Sequence, residues 1–283
     1  MLGAGVRQAE SGFVGLVVGN DAPNFSAGAN LMLLLLEAQE GNWEEVDLMV
    51  RAFQRATLGL KYAQVPVIVA PAGLTLGGGC EIALHADAVQ SAAEAYIGLV
   101  EVGVGLIPAG GGTKEMLARA TADLPSGADP LPFIQRAFET IGFGRVSTSG
   151  PDARRLGYLR DRDLITMNRE RLIADAKAQV LARAVAYAPP QPSPIRAGGE
   201  SVLAALKLGV HLAWRAGRIS DHDALIGRKL ASILSGGALA VNGAVTEQQV
   251  LDLEREAFLS LCGERRTLER IGYTLKTGKT LRN

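Results

Sequence analysis

The sequence predicts an α/β protein, and three features carry that prediction. Short apolar or β-branched runs, FVGLVVGN (13–20) and VPVIVAPAG (65–73), read as buried strands. Polar or glycine-rich loops and helix-forming stretches follow them, which is the alternation of an α/β fold. Beyond a proline-rich stretch at 187–199 the pattern turns helical as far as about residue 262.

In chain order, the first strand is bounded by Gly12 and Asn20 and leads into a polar loop, DAPNFSAGAN (21–30). Residues 31–62 are helix-forming with a break at GNW (41–43). Pro66 stands at the start of the second strand, where a missing N–H is tolerated. Three glycines, 77–79, open a short helix over 80–86, and DAVQSA (87–92) reads as a strand. Residues 94–113 alternate extended pieces with glycine turns before KEMLARA starts a helix. TADLPSGADP (121–130) is a loop. Ser149 caps a helix in SGPDARRLG (149–157), with Pro151 in its first turn and Gly157 at its end. A helical pattern covers 164–188. A linker with four prolines, YAPPQPSPIRAGG (187–199), precedes helices at 201–217, 221–235 and 246–262. A polar stretch with a basic bias (265–283) closes the chain.

At 283 residues the chain suits one large domain or a domain with a substantial appendage. Lys plus Arg equals Asp plus Glu, 29 of each, and this balance argues against a nucleic-acid surface. It leaves room for a small anionic ligand met by a few local cations. The two cysteines, Cys80 and Cys262, form neither a disulfide framework nor a metal-ligand spacing, which suits a reducing, cytoplasmic setting. No apolar run approaches the roughly 18 residues of a membrane span. LMLLLL (31–36) is short and is followed by Glu37 and Glu40, and the N-terminus lacks a signal-peptide core.

Glycine loops before helices suggest phosphate binding, but these lack its patterns. LGGGCE has no GK[ST], AGGGTK (109–114) has the wrong order, and Pro108 interrupts the GxG that begins at Gly103. The other use of such a loop is an oxyanion hole, in which backbone N–H groups stabilise charge developing on a carbonyl oxygen. Glycine lets the substrate approach the backbone, and the helix adds the positive end of its dipole. Glu81 is then either a catalytic carboxylate or one favoured only by that dipole; Glu101 is either catalytic or an exposed strand residue. Cys80 reads as core, His85 as structural, and Asp87 as a cap or ion-pair partner, while His211 and His222 show no partner in the sequence.

Taken together, FSAGAN, PVIVAPAGLTLGGGCEIALHADAV and AYIGLVEVGVGLIPAGGGTKEM resemble the crotonase (enoyl-CoA hydratase/isomerase) superfamily. The likeness runs from about residue 12 to the end of the chain. It is greatest to the hydratase module at the C-terminal end of bacterial fused 3-hydroxyacyl-CoA dehydrogenase/enoyl-CoA hydratase proteins. It implies a crotonase-like β/α spiral core over 12–188 and a helical C-terminal region over 189–283.

Carried over residue by residue, the resemblance implies oxyanion N–H donors at Ala29 and Gly78, with Ala27 and Gly77 beside the substrate. It implies catalysis by Glu81 and Glu101, the pair that favours hydration, with Leu31–Leu36 as core or acyl-pocket wall. Lys276 and Lys279 are then placed for coenzyme A phosphates, the alternative being a solvated basic terminus. Asn30 stands where the family has aspartate. The family fold has a strand pair and a helix ahead of the segment that FVGLVVGN resembles. Their absence here predicts an unpaired sheet edge and a chain that is part of a longer fused enzyme.

The implied substrate is an acyl-CoA thioester, with no metal or redox cofactor because coenzyme A is part of the substrate. The implied partners are a 3-hydroxyacyl-CoA dehydrogenase domain or subunit and further copies of the chain. Two alternatives stay open: an enoyl-CoA isomerase using Glu101 alone, and a non-catalytic module that partners the dehydrogenase.

Overall fold

The computed structural model describes residues 1–238 and 243–283. Helix α1 (Leu2–Gly12) and strand β1 (Leu16–Gly19) come first, then α2 (Leu31–Glu40) and α3 (Trp43–Lys61). Strands β2 (Val67–Ala70) and β3 (Gly73–Leu76), helix α4 (Gly78–Leu84), and strands β4 (Ala88–Ala92) and β5 (Ala95–Gly98) follow. A 3-10 turn at Glu101–Val104 leads to α5 (Gly112–Thr121), α6 (Leu131–Gly142) and α7 (Gly150–Arg155). Next are β6 (Leu164–Thr166), α8 (Leu172–Ala184), β7 (Ile195–Arg196), α9 (Gly199–Arg215) and α10 (Asp221–Leu234). The last described elements are β8 (Ala244–Val245), α11 (Glu247–Cys262) and α12 (Arg265–Thr277).

These elements form two compact units woven from alternating stretches. One holds Met1–Gly28, Ala52–Leu99 and Val146–Pro192; the other holds Ala29–Arg51, Val100–Arg145 and Ser193–Asn283.

The first unit is built on a parallel sheet in the order β1-β2-β4-β6. Its central strand, VIVA, is buried throughout, as expected of a parallel strand covered on both faces. Ala176 and Val180 of α8 pack on Ile68, Ala70 and Ala88. Val6 of α1 joins Leu60, Ala63 and Val67 in a second cluster. A separate parallel pair, β3 with β5, aligns Thr75 with Ile97. β1 lies at an edge of this sheet.

The second unit is helical, apart from the short antiparallel pair β7-β8. Helix α10 begins with a reciprocal capping box between Ser220 and Asp223, and α11 begins with one between Thr246 and Gln249. Among the described residues, no helix is long and apolar enough to cross a membrane.

Among the elements that depart from the sequence reading, four have a clear physical reason. α1 has no strong start signal, yet docks through Val6 and Ala9. Residues 164–166 form strand β6 rather than a helix, because pairing of Ser91 with Ile165 overrides local propensity. α6 follows its proline-rich loop directly, with Pro132 in its first turn, where proline is tolerated. The polar segment expected to close the chain forms α12, whose inward stripe of Thr267, Arg270 and Ile271 is largely polar and so escapes a hydrophobic-period search.

Candidate active site

In the first unit the three glycines of LGGGCE have separate reasons to be glycine. Gly77 turns the chain out of β3 at φ 54°, a conformation that disfavours a side chain. Its N–H donates to Gly98 O at 2.9 Å, which ties the turn to the end of β5. At Gly79 a Cβ would sit 2.4 Å from the Ser26 Cβ, so only glycine admits the loop packed there. Gly78 is the first helical residue of α4, and its N–H therefore has no partner within the helix. A Cβ there would meet the edge of Phe53 at 3.2 Å.

The loop that carries FSAG runs along β3. Phe25 N–H donates to Ala72 O, Ser26 N–H to Leu74 O, and Leu76 N–H to Ser26 O, each at 2.9 Å. Asn24 Oδ1 accepts the Leu74 N–H at the same distance. This ladder holds Ser26 against the glycine turn and delivers Ala27, one residue on, in an exposed position. Gly28 follows at φ 111°, its N–H donating to Ser26 Oγ at 3.2 Å.

Glu81 sits in the first turn of α4, three residues after Gly78, and is 3% exposed. The half-buried N–H of Gly78 and a buried carboxylate thus share one turn. His85 Nδ1 lies 2.7 Å from Glu81 O, which makes His85 a brace on the carbonyl end of this turn. Cys80 is fully buried, consistent with a core role. Asp87 forms an ion pair with Arg183 at 3.1 Å, as expected.

Ala29 and Glu101 belong to the second unit. Ala29 is exposed, and its carbonyl accepts the Leu31 N–H at 2.9 Å. Asn30 caps α2, its Oδ1 accepting the Leu33 N–H at 3.2 Å, so the amide in place of aspartate retains the capping function. Glu101 is half-buried and opens the 3-10 turn rather than lying in a strand; its carbonyl accepts the Leu106 N–H at 3.0 Å.

That turn is braced from α12. Thr267 Oγ1 donates to Gly105 O at 3.0 Å, and Arg270 Nη1 reaches Val102 O at 3.4 Å. Thr267 has one hydroxyl proton and gives it to Gly105, so His222, 2.9 Å from Thr267 Oγ1, donates from Nε2 as a neutral imidazole. Burial first, then the nearby Arg270 guanidinium, hold His222 below its usual pKa, which fits that assignment. Past α12 the chain returns to the same turn: a Cβ on Gly103 would lie 3.0 Å from the Thr280 methyl. Lys276 and Lys279 are exposed. Thr267, Arg270 and His222 were not legible as one group, since 45 residues separate the His222–Thr267 pair.

The second glycine loop serves the fold. Gly111 N–H and Lys114 N–H, at the start of α5, both donate to the Glu254 carboxylate, at 2.9 and 2.5 Å. A side chain of the same protein therefore occupies the position in which a phosphate would bind. Among the described residues no group of three or more His, Cys, Asp or Glu side chains is arranged to hold a metal.

Residues 9–123 match the enoyl-CoA hydratase/isomerase family. A Bacillus subtilis protein named probable 3-hydroxyacyl-CoA dehydrogenase is 43% identical over the whole chain, which spans 36% of that protein. A Rickettsia felis putative fatty acid oxidation complex trifunctional enzyme is 28% identical over 89% of the chain and 32% of its own length. The chain thus spans about a third of these relatives. Mouse methylglutaconyl-CoA hydratase is 32% identical over 59% of the chain and 48% of its own length.

Among solved structures, an enoyl-CoA hydratase from Bacillus halodurans superposes with TM-score 0.63 at 17% identity, covering 96% of this chain and 87% of the other. A carnitinyl-CoA dehydratase from Mycobacterium thermoresistibile gives 0.65 at 16% identity, covering 97% and 80%. The resemblance drawn from the glycine loops is borne out, and the α/β fold with its helical C-terminal part is that of the crotonase structures.

Proposed function

For a chain whose residues 9–123 belong to the enoyl-CoA hydratase/isomerase family, we propose hydration of a 2-enoyl-CoA to a 3-hydroxyacyl-CoA, as fatty-acid β-oxidation requires. One observation carries the reading: the free helix-start N–H of Gly78 and the buried carboxylate of Glu81 lie within one turn. In the proposed reaction the thioester oxygen accepts from the N–H groups of Gly78 and Ala29, which stabilise it as it becomes enolate-like. Ala27 and Gly77 flank the substrate.

Glu81 takes a proton from the attacking water while its oxygen bonds to C3. Glu101, protonated, delivers a proton to C2 as the C2–C3 π bond is consumed. A proton then returns from Glu81 to Glu101 through solvent, so the two carboxyls end as they began. The route uses no metal or redox cofactor, coenzyme A being part of the substrate. Lys276 and Lys279 are proposed to meet its phosphates.

The relatives named as dehydrogenase or trifunctional enzyme, each about three times this chain's length, favour a linked step. In that scheme the 3-hydroxyacyl product passes to a 3-hydroxyacyl-CoA dehydrogenase domain or subunit, and the chain self-associates in a cytoplasmic complex.

The test follows loss of the conjugated enoyl thioester absorbance with crotonyl-CoA, using wild type, Glu81→Gln and Glu101→Gln. Hydration should fall at least about 10²-fold in each variant, within the range of general acid–base contributions. Isomerisation of a 3-enoyl-CoA that persists in Glu81→Gln would replace the hydratase reading with the isomerase. An inert wild type that binds a dehydrogenase would leave the docking module.

A further inference from the structure

The second unit contains a cleft of about 720 Å³ between α6, α9 and α10, bordered at one edge by Val102. Its volume falls within the roughly 300–1,000 Å³ of small-molecule sites. Neither Ala29 nor Glu101 lines it. The walls are apolar: Phe138, Leu206, Val210, Ile226 and Leu230 face the same space.

A glycine keeps the trough open. Gly209 lies inside α9, where glycine is the poorest ordinary helix former, and a Cβ there would meet nothing within 4 Å. Packing against a neighbour therefore does not require glycine at 209. A side chain at that position would project into the cleft.

One end of the trough is cationic. Arg218, Ser220, Asp223 and Arg282 all line it. Asp223 is matched by two guanidiniums, Arg270 at 2.8 Å and Arg282 at 3.2 Å. Arg218 adds a third positive charge and makes no side-chain hydrogen bond or ion pair among the described residues. Arg218 and Arg282 are thus the lining cations, with Asp223 the carboxylate that Arg282 meets. Glu139, which also lines the cleft, is held by Gln135 at 3.0 Å and by Arg145 at 3.7 Å.

We propose that this cleft binds an aliphatic carboxylate, its chain along the apolar trough and its head group on Arg218. Charge complementarity selects this occupant over a neutral chain, because of the two cations that line the cleft, Arg218 and Arg282, only Arg282 has an ion-pair partner among the described residues. The site is separate from the proposed thioester chemistry and does not rest on it.

The test is direct binding of dodecanoate and dodecanol to the purified full chain, by titration calorimetry and by displacement of the fluorescent acid cis-parinarate. Wild type should bind dodecanoate saturably, one per chain, with dodecanol at least about tenfold weaker. Arg218→Gln should weaken dodecanoate about tenfold and leave dodecanol nearly unchanged. Gly209→Leu should weaken both at least about tenfold without lowering the thermal midpoint, since leucine is the better helix former.

Dodecanoate binding that is undiminished in Gly209→Leu would overturn the proposal, as would its absence from wild type. Displacement of dodecanoate by coenzyme A alone would also overturn it, assigning Arg218 to phosphate instead. The assay needs no turnover, so failure here and failure of the proposed hydration are read separately.

Discussion

The carboxylate of Glu254 accepts the Gly111 N–H at 2.9 Å, closing the N-terminus of α5 from α11, 143 residues further along the chain. The same carboxylate takes the Lys114 N–H, so two backbone donors that a short glycine loop leaves exposed are satisfied by one buried acid. Glu254 is fully buried, and losing it leaves those donors desolvated. Glu254→Ala should therefore lower stability by about 1–3 kcal/mol per donor left unpaired. Denaturant unfolding of the two proteins at one pH measures it; a loss under about 0.5 kcal/mol, the scale of an ordinary surface substitution, would mean that water replaces the carboxylate.

Lys114 is the other half of this junction. Its ammonium is fully buried and lies 2.6 Å from Glu115 and 3.4 Å from Glu247. Removing one member of a buried pair strands its partner's charge, at a cost of about 3–5 kcal/mol. Lys114→Met should fall in that range, and the double variant Lys114→Met/Glu115→Leu should recover part of the loss. Equal stability of the single and double variants would show that Arg119, 4.0 Å from Glu115, suffices to hold the remaining carboxylate.

Gly79 tests how tightly the loop bearing FSAG is held to the glycine turn. A methyl group at 79 must displace Ser26, since the Cβ–Cβ separation would be 2.4 Å. Gly79→Ala should destabilise by about 1–3 kcal/mol, the usual cost of overpacking. It should also slow crotonyl-CoA hydration more than Gly59→Ala, a control in α3 whose Cβ meets nothing within 4 Å. Matching thermal midpoints for the two variants would contradict this packing.

The pH dependence of stability should carry a signature of His222. Its folded pKa is lowered from 6.5, by burial first and by Arg270 second, with Arg266 acting in the same direction and Glu264 and Asp223 opposing. A depressed folded pKa means that the unfolded chain binds the proton more readily. The His222 contribution is therefore complete above pH 6.5 and is lost as pH falls through the folded value. Urea midpoints of wild type should drop from pH 8 to pH 5.5 more steeply than those of His222→Gln. Parallel slopes would remove His222 from the titration.

Several elements were legible because their signals are local. β1, β2 and β4 are apolar runs of strand length, α2 and α3 split at the predicted break, and α7 follows its Ser149 cap. The glycine turn before Glu81 could be recognised because a positive φ and a close approach both select glycine. Other elements could not be read this way. α6 and α12 hide their burial behind proline or behind buried polar residues, and β6 exists only through its pairing with β4.

By itself the sequence determined the α/β class, the strands and helices with strong local signals, the helix starts that carry their own caps, and the residue types at the candidate site. Each of these depends on a chain segment and its immediate neighbours. The tertiary structure decided which glycine loop remains open and which is filled. Nothing within AGGGT shows that Glu254 will occupy its N–H groups, and nothing near Glu101 shows that Thr267, Arg270 and His222 will brace its turn. Such partnerships form between groups more than forty residues apart, where burial makes an unpaired donor or charge costly and only the completed fold supplies the partner.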